Sequence, residues 1–190
     1  MKTKAFWGVL CLLLLSACGP IIGGMMVAGT GVKEVTVVRG ELTTLTAGSR
    51  IAVLGPFAKT AEAFYICRGE EAAGFASSFV TSGLFQAELS IDQRFPERLP
   101  TIQDWKGKAP AEVQKALDLD APPELLMSGT ILKREMVAAP MQGVITHVVY
   151  RLDFLDLQSG QEVSVEMTVK ELFQEAIPSV VEELARRVKM

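Results

Sequence analysis

The sequence predicts an α+β fold, a two-layer arrangement of one mixed, mostly antiparallel sheet of about five strands with helices packed mainly on one face. Period-two alternation of apolar and polar residues through 143–157 and 161–169 is typical of strands in a sheet with one covered face. Apolar residues recur at helical spacing through 70–84 and 170–189. The short apolar segment 50–54, closed by a Gly-Pro pair, is typical of a buried strand.

The N-terminal segment has the layout of a secretory signal: a basic start, an apolar run and then Leu15-Ser16-Ala17-Cys18. This ending resembles the lipobox of bacterial lipoproteins, in which a peptidase cuts just before the cysteine and the thiol carries lipid. We therefore predict a signal peptide at 1–17, a lipid-anchored tether at 18–32 and a single α+β domain at 33–190. Position 19 is Gly and not Asp, which in lipoproteins of this resemblance favours sorting to the outer membrane.

Composition limits the class of partner. Removal of 17 of the 190 residues leaves 173, enough for one domain with a core. The mature chain keeps 17 basic and 22 acidic residues, so its charge is about −5, and it has no basic run. Nucleic acid is therefore not an expected partner.

No later segment approaches the ~18 to 20 apolar residues of a spanning helix. Attachment to the membrane is expected through lipid on Cys18.

The first half of the domain is predicted to contain three strands and one helix. Pro56 cannot donate to a strand ladder, so the first core strand should end before it. Glu70 and Glu71 lie in the first turn of the helix, where the dipole favours acids, and we interpret both as solvent-facing. The helix side chains expected to face the core are Ala72, Phe75, Ala76, Phe79 and Val80. The predicted elements are strands at 33–39, 50–54 and 85–91 and a helix at 70–84.

The second half is predicted as a short helix, a three-stranded meander and a closing helix. Pro110 opens the short helix, and Val113, Ala116 and Leu117 should face inward. Pro178 should kink or restart the closing helix near Ile177. The elements are a helix at 110–119, strands at 125–136 (interrupted by Gly129), 143–157 and 161–169, and a helix at 170–189. The connections are 137–143 and 158–160.

Residues 92–108 form a long, polar connection, which makes them a candidate functional loop. Aromatic and arginine side chains are enriched at the energetic centres of interfaces. We therefore predict partner binding by Arg94, Phe95, Arg98 and Trp105. The alternative is a loop folded onto its own core, with Trp105 as a lid. A second surface feature is the polar face of the long strand, which carries His147, Arg151 and Asp153.

Catalytic and metal-binding motifs are not found in the sequence. His147 is the single histidine, and no Cys/His cluster accompanies it, so neither a metal site nor a cofactor is predicted. No G-x-S-x-G motif occurs. Cys67 is interpreted as a partly buried small apolar residue, with an intermolecular disulfide or a reactive thiol as alternatives. The expectation is that the protein is not an enzyme.

The order of motifs over residues 50–188 resembles one superfamily. It includes the curli secretion lipoprotein CsgG, LpoB-type activators of penicillin-binding proteins, PelC-type polysaccharide export lipoproteins and the TolB N-terminal domain. The motifs are Ile51-Ala52-Val53-Leu54, Gly83-Leu84-Phe85, Leu126-Met127-Ser128-Gly129-Thr130-Ile131 and Phe154-Leu155-Asp156-Leu157-Gln158-Ser159-Gly160-Gln161-Glu162-Val163.

The resemblance implies a non-enzymatic lipoprotein on the periplasmic face of the outer membrane, with another envelope protein as its partner. The leading hypothesis is an interaction module in envelope biogenesis, of the peptidoglycan-synthase activator type. The alternative is a homo-oligomeric ring subunit of a secretion or a polysaccharide or organelle export apparatus. The connections 58–69 and 137–143 are too short for membrane strands, which need ~9 to 11 residues each, so a self-contained pore is not expected.

Overall fold

The computed structural model describes residues 27–63, 70–92 and 99–188. Over these ranges the chain forms one sheet and three α-helices. The strands are β1 (Gly31–Arg39), β2 (Arg50–Gly55), β3 (Ala58–Lys59), β4 (Gln86–Ile91), β5 (Leu125–Ala139), β6 (Gly143–Asp156) and β7 (Glu162–Leu172). The helices are α1 (Glu70–Ser82), α2 (Pro110–Leu117) and α3 (Ala176–Arg187). No helix among the described residues is long and apolar enough to cross a membrane.

The sheet is mixed, as predicted, with the strand order β1-β7-β6-β5-β2-β4 and with β3 paired to β5. β1, β7, β6 and β5 form antiparallel ladders, and β2 pairs in parallel with both β4 and β5. The predicted count of about five strands is wrong, because the described residues form seven. Each predicted strand segment forms, and β3 adds a strand of two residues, too short to leave a periodic pattern in the sequence.

Helices α1 and α3 pack on one face of the sheet, over what we call the main core. α2 packs on the other face with a 3-10 turn, Ile102–Trp105, over a second core. β2 contributes to both layers, because its alternate side chains point to opposite faces: Ile51 and Val53 to the main core, Ala52 and Leu54 to the second core. Two of the three helices therefore share a face, in agreement with the prediction.

The closing helix begins later than predicted. β7 continues to Leu172, a 3-10 turn follows at Phe173–Glu175, and α3 starts at Ala176. Pro178 lies in the first turn of α3, where a backbone N–H has no partner within the helix, so proline costs little there. The predicted restart near Ile177 is confirmed. The prediction of helix from residue 170 is wrong, because alternation in β7 extends three residues further.

The buried stripe of α1 is rotated from the predicted one. Val80, expected in the core, is 58% exposed, whereas Glu71, expected in solvent, is 4% exposed. Glu71 accepts a 2.6 Å hydrogen bond from Nη1 of Arg134, which is 3% exposed, and Nη2 of Arg134 donates to the Tyr150 hydroxyl at 2.9 Å. A long-range ion pair thus outweighs the local apolar pattern. In α2 the prediction for Ala116 is also wrong, since that residue is exposed.

Two backbone features allow this main core to form. The register of β5 against β6 shifts between Ile131 and Lys133, which places both Ile131 and Arg134 on the helix side of the sheet. β5 runs unbroken through Gly129, contrary to the predicted interruption. A Cβ on Gly129 would lie 2.2 Å from the Phe57 ring, which itself stacks on Phe75 with centroids 5.5 Å apart. Glycine is needed for close packing here and not for a break.

Candidate functional site

Residues 99–108, which we call the Trp105 segment, lie on the face of the sheet opposite α1 and α3. The segment is ordered by its 3-10 turn, whose N-cap is Thr101: the side-chain oxygen accepts a hydrogen bond from the Gln103 backbone N–H at 3.0 Å. Ile102, next in the chain, is 4% exposed and packs in the second core. A cap and a buried side chain thus fix the start of the segment.

Trp105 lies half-buried at the edge of the second core. It packs against this core, whose buried residues are Ala52, Leu54, Ile102, Val113, Leu119, Leu126 and Leu155. The ammonium of Lys108 lies 4.8 Å from the centroid of the Trp105 ring, within cation–π range. One portion of the indole therefore covers the second core and the rest stays accessible to solvent, while partner binding by Trp105 stays a prediction.

Glu162, at the start of β7, ties the Trp105 segment to the sheet. Its carboxylate accepts hydrogen bonds from Lys106 Nζ at 2.6 Å and Gln103 Nε2 at 3.0 Å, and it pairs with Arg39 of β1. The hydrogen bond from Lys106, followed by that from Gln103, lowers the pKa of Glu162 to about 2. The carboxylate is therefore ionised at neutral pH, and it joins the segment to both β1 and β7.

A cleft of about 610 Å³ opens beside the tryptophan, and we call it the Trp105 cleft. It lies at the carboxyl ends of β2 and β4, the edge at which open sheets with parallel strands commonly bind ligands. Trp105 and Lys108 line one side, Leu54 and Ser90 contribute from the strands, and Leu117 contributes from α2. The lining also includes three carboxylates, those of Asp92, Asp104 and Asp118. The cleft therefore combines an indole and apolar groups with charged side chains, a mixture that suits a protein surface carrying an aromatic or arginine side chain.

A recess of about 370 Å³ lies on the other side of the segment. Its lining includes Arg151 and Asp153, two of the three residues of the polar face predicted for the long strand. Ser164 donates a 2.6 Å hydrogen bond to Asp153, and Arg151 donates two to Glu166, so both predicted residues of β6 pair with β7 and not with each other. These pairs join adjacent strands, which is a structural role.

The structure describes one residue of the predicted partner-binding set. Trp105 lies beside a cleft, while Arg94, Phe95 and Arg98, and also Cys18 and Cys67, lie outside the described residues. His147 lies away from the cleft, with Nδ1 3.8 Å from a carboxylate oxygen of Glu135. Within the ranges that the structure describes, no group of three or more His, Cys, Asp or Glu side chains is placed to hold a metal ion.

The sequence-based prediction missed the residues that position Trp105. Gln103 and Lys106 meet Glu162 across 59 and 56 residues of chain. Glu162 is one polar position in an alternating strand, and nothing local marks it as a contact for the Trp105 segment. The sequence offered indirect signals alone. These were an acidic residue at the start of a predicted strand and a separate long connection that carries amide and cationic side chains.

No protein-family model matches the chain, and no curated protein matches it. Among solved structures it is similar to the PelC dodecamer from Paraburkholderia phytofirmans, with 16% identity over 81% of this chain and 95% of that chain and a TM-score of 0.46. A single-residue variant of the same dodecamer gives 13% identity over 80% and 93%, with a TM-score of 0.46. A hypothetical protein, CT253 from Chlamydia trachomatis, gives 14% identity over 66% and 70%, with a TM-score of 0.35.

Proposed function

We propose that the protein is a lipoprotein of the outer membrane, anchored through Cys18 on the periplasmic face, that acts by binding another envelope protein and not by catalysis. Its type would be that of the peptidoglycan-synthase activators. The Cys18 anchor is supported by the basic, apolar and small-residue layout of residues 1–18. The binding role is carried by one observation: a half-buried tryptophan beside a cleft of about 610 Å³, on a segment that is tied down at several points.

Pre-organisation is what makes this tryptophan suitable as an interface anchor. A flexible loop loses conformational entropy on binding, whereas a segment already fixed by Thr101, Ile102 and Glu162 has less to lose. Tryptophan is among the residue types that contribute most when an interface is truncated to alanine. Trp105 therefore combines large contact area with low ordering cost.

The binding proposal is tested by photo-crosslinking in the intact lipoprotein in cells. A photoreactive amino acid is placed at Ala116, an exposed position that lines the Trp105 cleft, or at Val80, an exposed position on α1. We expect one stoichiometric envelope protein to crosslink at Ala116 and not at Val80. Trp105→Ala should then lower the affinity by about 30-fold, the effect of a residue worth about 2 kcal/mol, and Trp105→Phe should retain part of it. Equal crosslinking at both positions would contradict the proposal.

The anchor is tested separately by labelling with a fatty-acid analogue. The wild-type chain and Cys67→Ser should incorporate the label and fractionate with the outer membrane. Cys18→Ser should lose both the label and the outer-membrane location. Label retained in Cys18→Ser would show that lipid is not carried at this thiol.

A second candidate, a ring-forming subunit of a secretion or export apparatus, is favoured by the two ends of the sheet. β1 and β4 terminate the strand order, and β1 exposes Val37 at 43% and Val38 at 54%. Edge strands with exposed apolar side chains are ready to pair with another chain. Native mass measurement of the lipidated protein in detergent decides between the candidates, because a strict monomer at high concentration excludes the ring.

A further inference from the structure

The hairpin formed by β5 and β6 ends in a segment without charge. Its strands run to Ala139 and from Gly143, so the turn is 140–142, shorter than the predicted connection. Residues 136–146, which we call the hairpin tip, are eleven residues long and contain no Asp, Glu, Lys, Arg or His. Glu135 and His147 flank the tip and pair with each other across the two strands. Within the hairpin, charge therefore stops where the tip begins, and on the neighbouring strand Glu171 pairs with Thr146 at the base of the tip.

The hairpin tip exposes large apolar side chains. Met141 is 81% exposed and Val137 is 53% exposed, while Met136 and Val144 are each 38% exposed. Phe173 is 38% exposed and lines a groove of about 350 Å³ together with Met136 and Val144. Five of the ten large apolar side chains exposed within the described ranges thus lie at this one end. Clustered exposure of this kind marks an interaction surface, whereas scattered exposure does not.

The chain enters the domain at the same end. Gly31, the first residue of β1, pairs with Lys170 of β7, and Lys170 pairs with His147 of β6. β1 therefore begins level with His147, one of the two residues that flank the hairpin tip. Only twelve residues, 19–30, separate Gly31 from Cys18, a reach of roughly 45 Å when fully extended. Lipid on Cys18 would hold this end of the domain near the bilayer.

The dimensions of the hairpin tip suit an interfacial contact. From His147 to Gly143 the strand advances by about 14 Å at ~3.4 Å per residue. Apolar surfaces that lie in a membrane interface are buried by about 5 to 10 Å at the boundary of headgroups and acyl chains. The turn can reach that depth while the charged row at Glu135 and His147 stays among the headgroups or in water.

We propose that the hairpin tip is a second membrane-contact site, with Met141 and Val137 inserted into the interface of the bilayer that holds the lipid of Cys18. This inference rests on the proposed anchor, and it adds a site that would fix the orientation of the domain. The Trp105 segment packs on one face of the sheet, so a domain held at two points would present that face at a constant angle to its partner.

A fluorescence experiment tests the contact in the lipidated chain. Met141→Cys, in a Cys67→Ser background, carries an environment-sensitive NBD probe in vesicles of phosphatidylethanolamine and phosphatidylglycerol. Val80→Cys is the matched control, since Val80 is exposed near the carboxyl end of α1, away from the hairpin tip. We expect a blue shift, and quenching by spin-labelled lipids, at position 141 and neither effect at position 80.

A partition measurement gives the size of the contribution that Met141 makes to membrane binding. In the mature chain with Cys18→Ser, which carries no lipid, Met141→Asp should lower partitioning into the same vesicles by about tenfold or more, because burial of a methionine side chain is worth ~1.5 to 3 kcal/mol. Val80→Asp should leave partitioning unchanged.

The outcomes separate this inference from the anchor. If the lipidated chain floats with vesicles but the probe at position 141 behaves like the probe at position 80, the hairpin contact is wrong and the anchor stands. If the wild-type chain does not float at all, the anchor itself fails. A blue shift that appears without vesicles and grows with protein concentration would assign the hairpin tip to a second copy of the chain and overturn the membrane contact.

Discussion

Each face of the sheet carries an ion-paired glutamate. One of the two has a buried cationic partner, and the other has exposed cationic partners. Glu71, on the buried face of α1, is 4% exposed, and its partner Arg134 is 3% exposed. Glu162, on the opposite face, has a side chain that is 8% exposed, but its cationic partners Arg39 and Lys106 are 64% and 56% exposed. The first pair lies inside the main core, and the second joins a surface segment to the sheet.

This difference in exposure predicts different roles for the two ion pairs, one in the stability of the domain and the other in the position of the Trp105 segment. Two charges removed from water attract strongly, but each is costly if the other is removed. Cations in solvent are screened by salt and contribute little net stability. We therefore expect the Glu71 pair to control whether the domain folds, and the Glu162 cluster to control where the Trp105 segment lies.

The largest expected effect is at the buried pair. Glu71→Ala should lower the free energy of unfolding by about 3 to 5 kcal/mol, because it leaves the guanidinium of Arg134 buried without its carboxylate. Urea unfolding followed by circular dichroism measures the change. The double variant with Glu71→Met and Arg134→Met should recover most of the loss, since apolar replacement of both partners is often neutral. A loss in the double variant equal to that in Glu71→Ala would show that packing, and not charge, dominates here.

A smaller effect is expected at Gly129, on the same face. Gly129→Ala should cost about 1 to 3 kcal/mol, because the new methyl group would overlap the Phe57 ring within the stacked aromatic core. Gly74→Ala in α1 is the matched control. Its methyl group meets only the flexible tip of Ile177, and alanine is favoured over glycine in helices by up to about 1 kcal/mol. Similar losses in both variants would mean that the Phe57 ring moves aside more easily than its packing indicates.

Local patterns were sufficient where one residue and its neighbours decide the structure. The alternation in β6 and β7 and the restart at Pro178 could all be predicted from the sequence. The pattern failed at Glu71, because its partner is 63 residues away. It made no prediction for Arg134, whose side chain faces the core because of the register shift in β5, and a shift of one residue leaves no periodic signal.

In the candidate site, too, some features follow from the local sequence and others depend on distant residues. The length and composition of 92–108 were sufficient to identify the region of Trp105. The contacts that fix it depend on tertiary structure, since Glu162 receives Gln103 and Lys106 from a different part of the chain. Partner binding by Arg94, Phe95, Arg98 and Trp105 stays a prediction.

The smallest expected effect is at Glu162, and it depends on pH. A carboxyl with a folded pKa of about 2, against its ordinary 4.5, contributes stability that is present above pH 4.5 and is lost as the pH falls toward 2. Trp105 is the single tryptophan after removal of 1–17, so its fluorescence reports the segment directly. We expect a red shift over this pH window as the segment loosens. Glu162→Gln should show the shifted spectrum already at neutral pH, at a cost of about 1 kcal/mol.

The matched control for Glu162→Gln is Glu183→Gln on α3. Glu183 also pairs with two arginines, Arg186 and Arg187, but on an exposed helix surface. Its replacement should leave the Trp105 spectrum and its acid transition unchanged. An acid transition that survives in Glu162→Gln with the same midpoint would assign the pH response to another carboxyl, and the Trp105 segment would then owe its position to Ile102 and its apolar contacts alone.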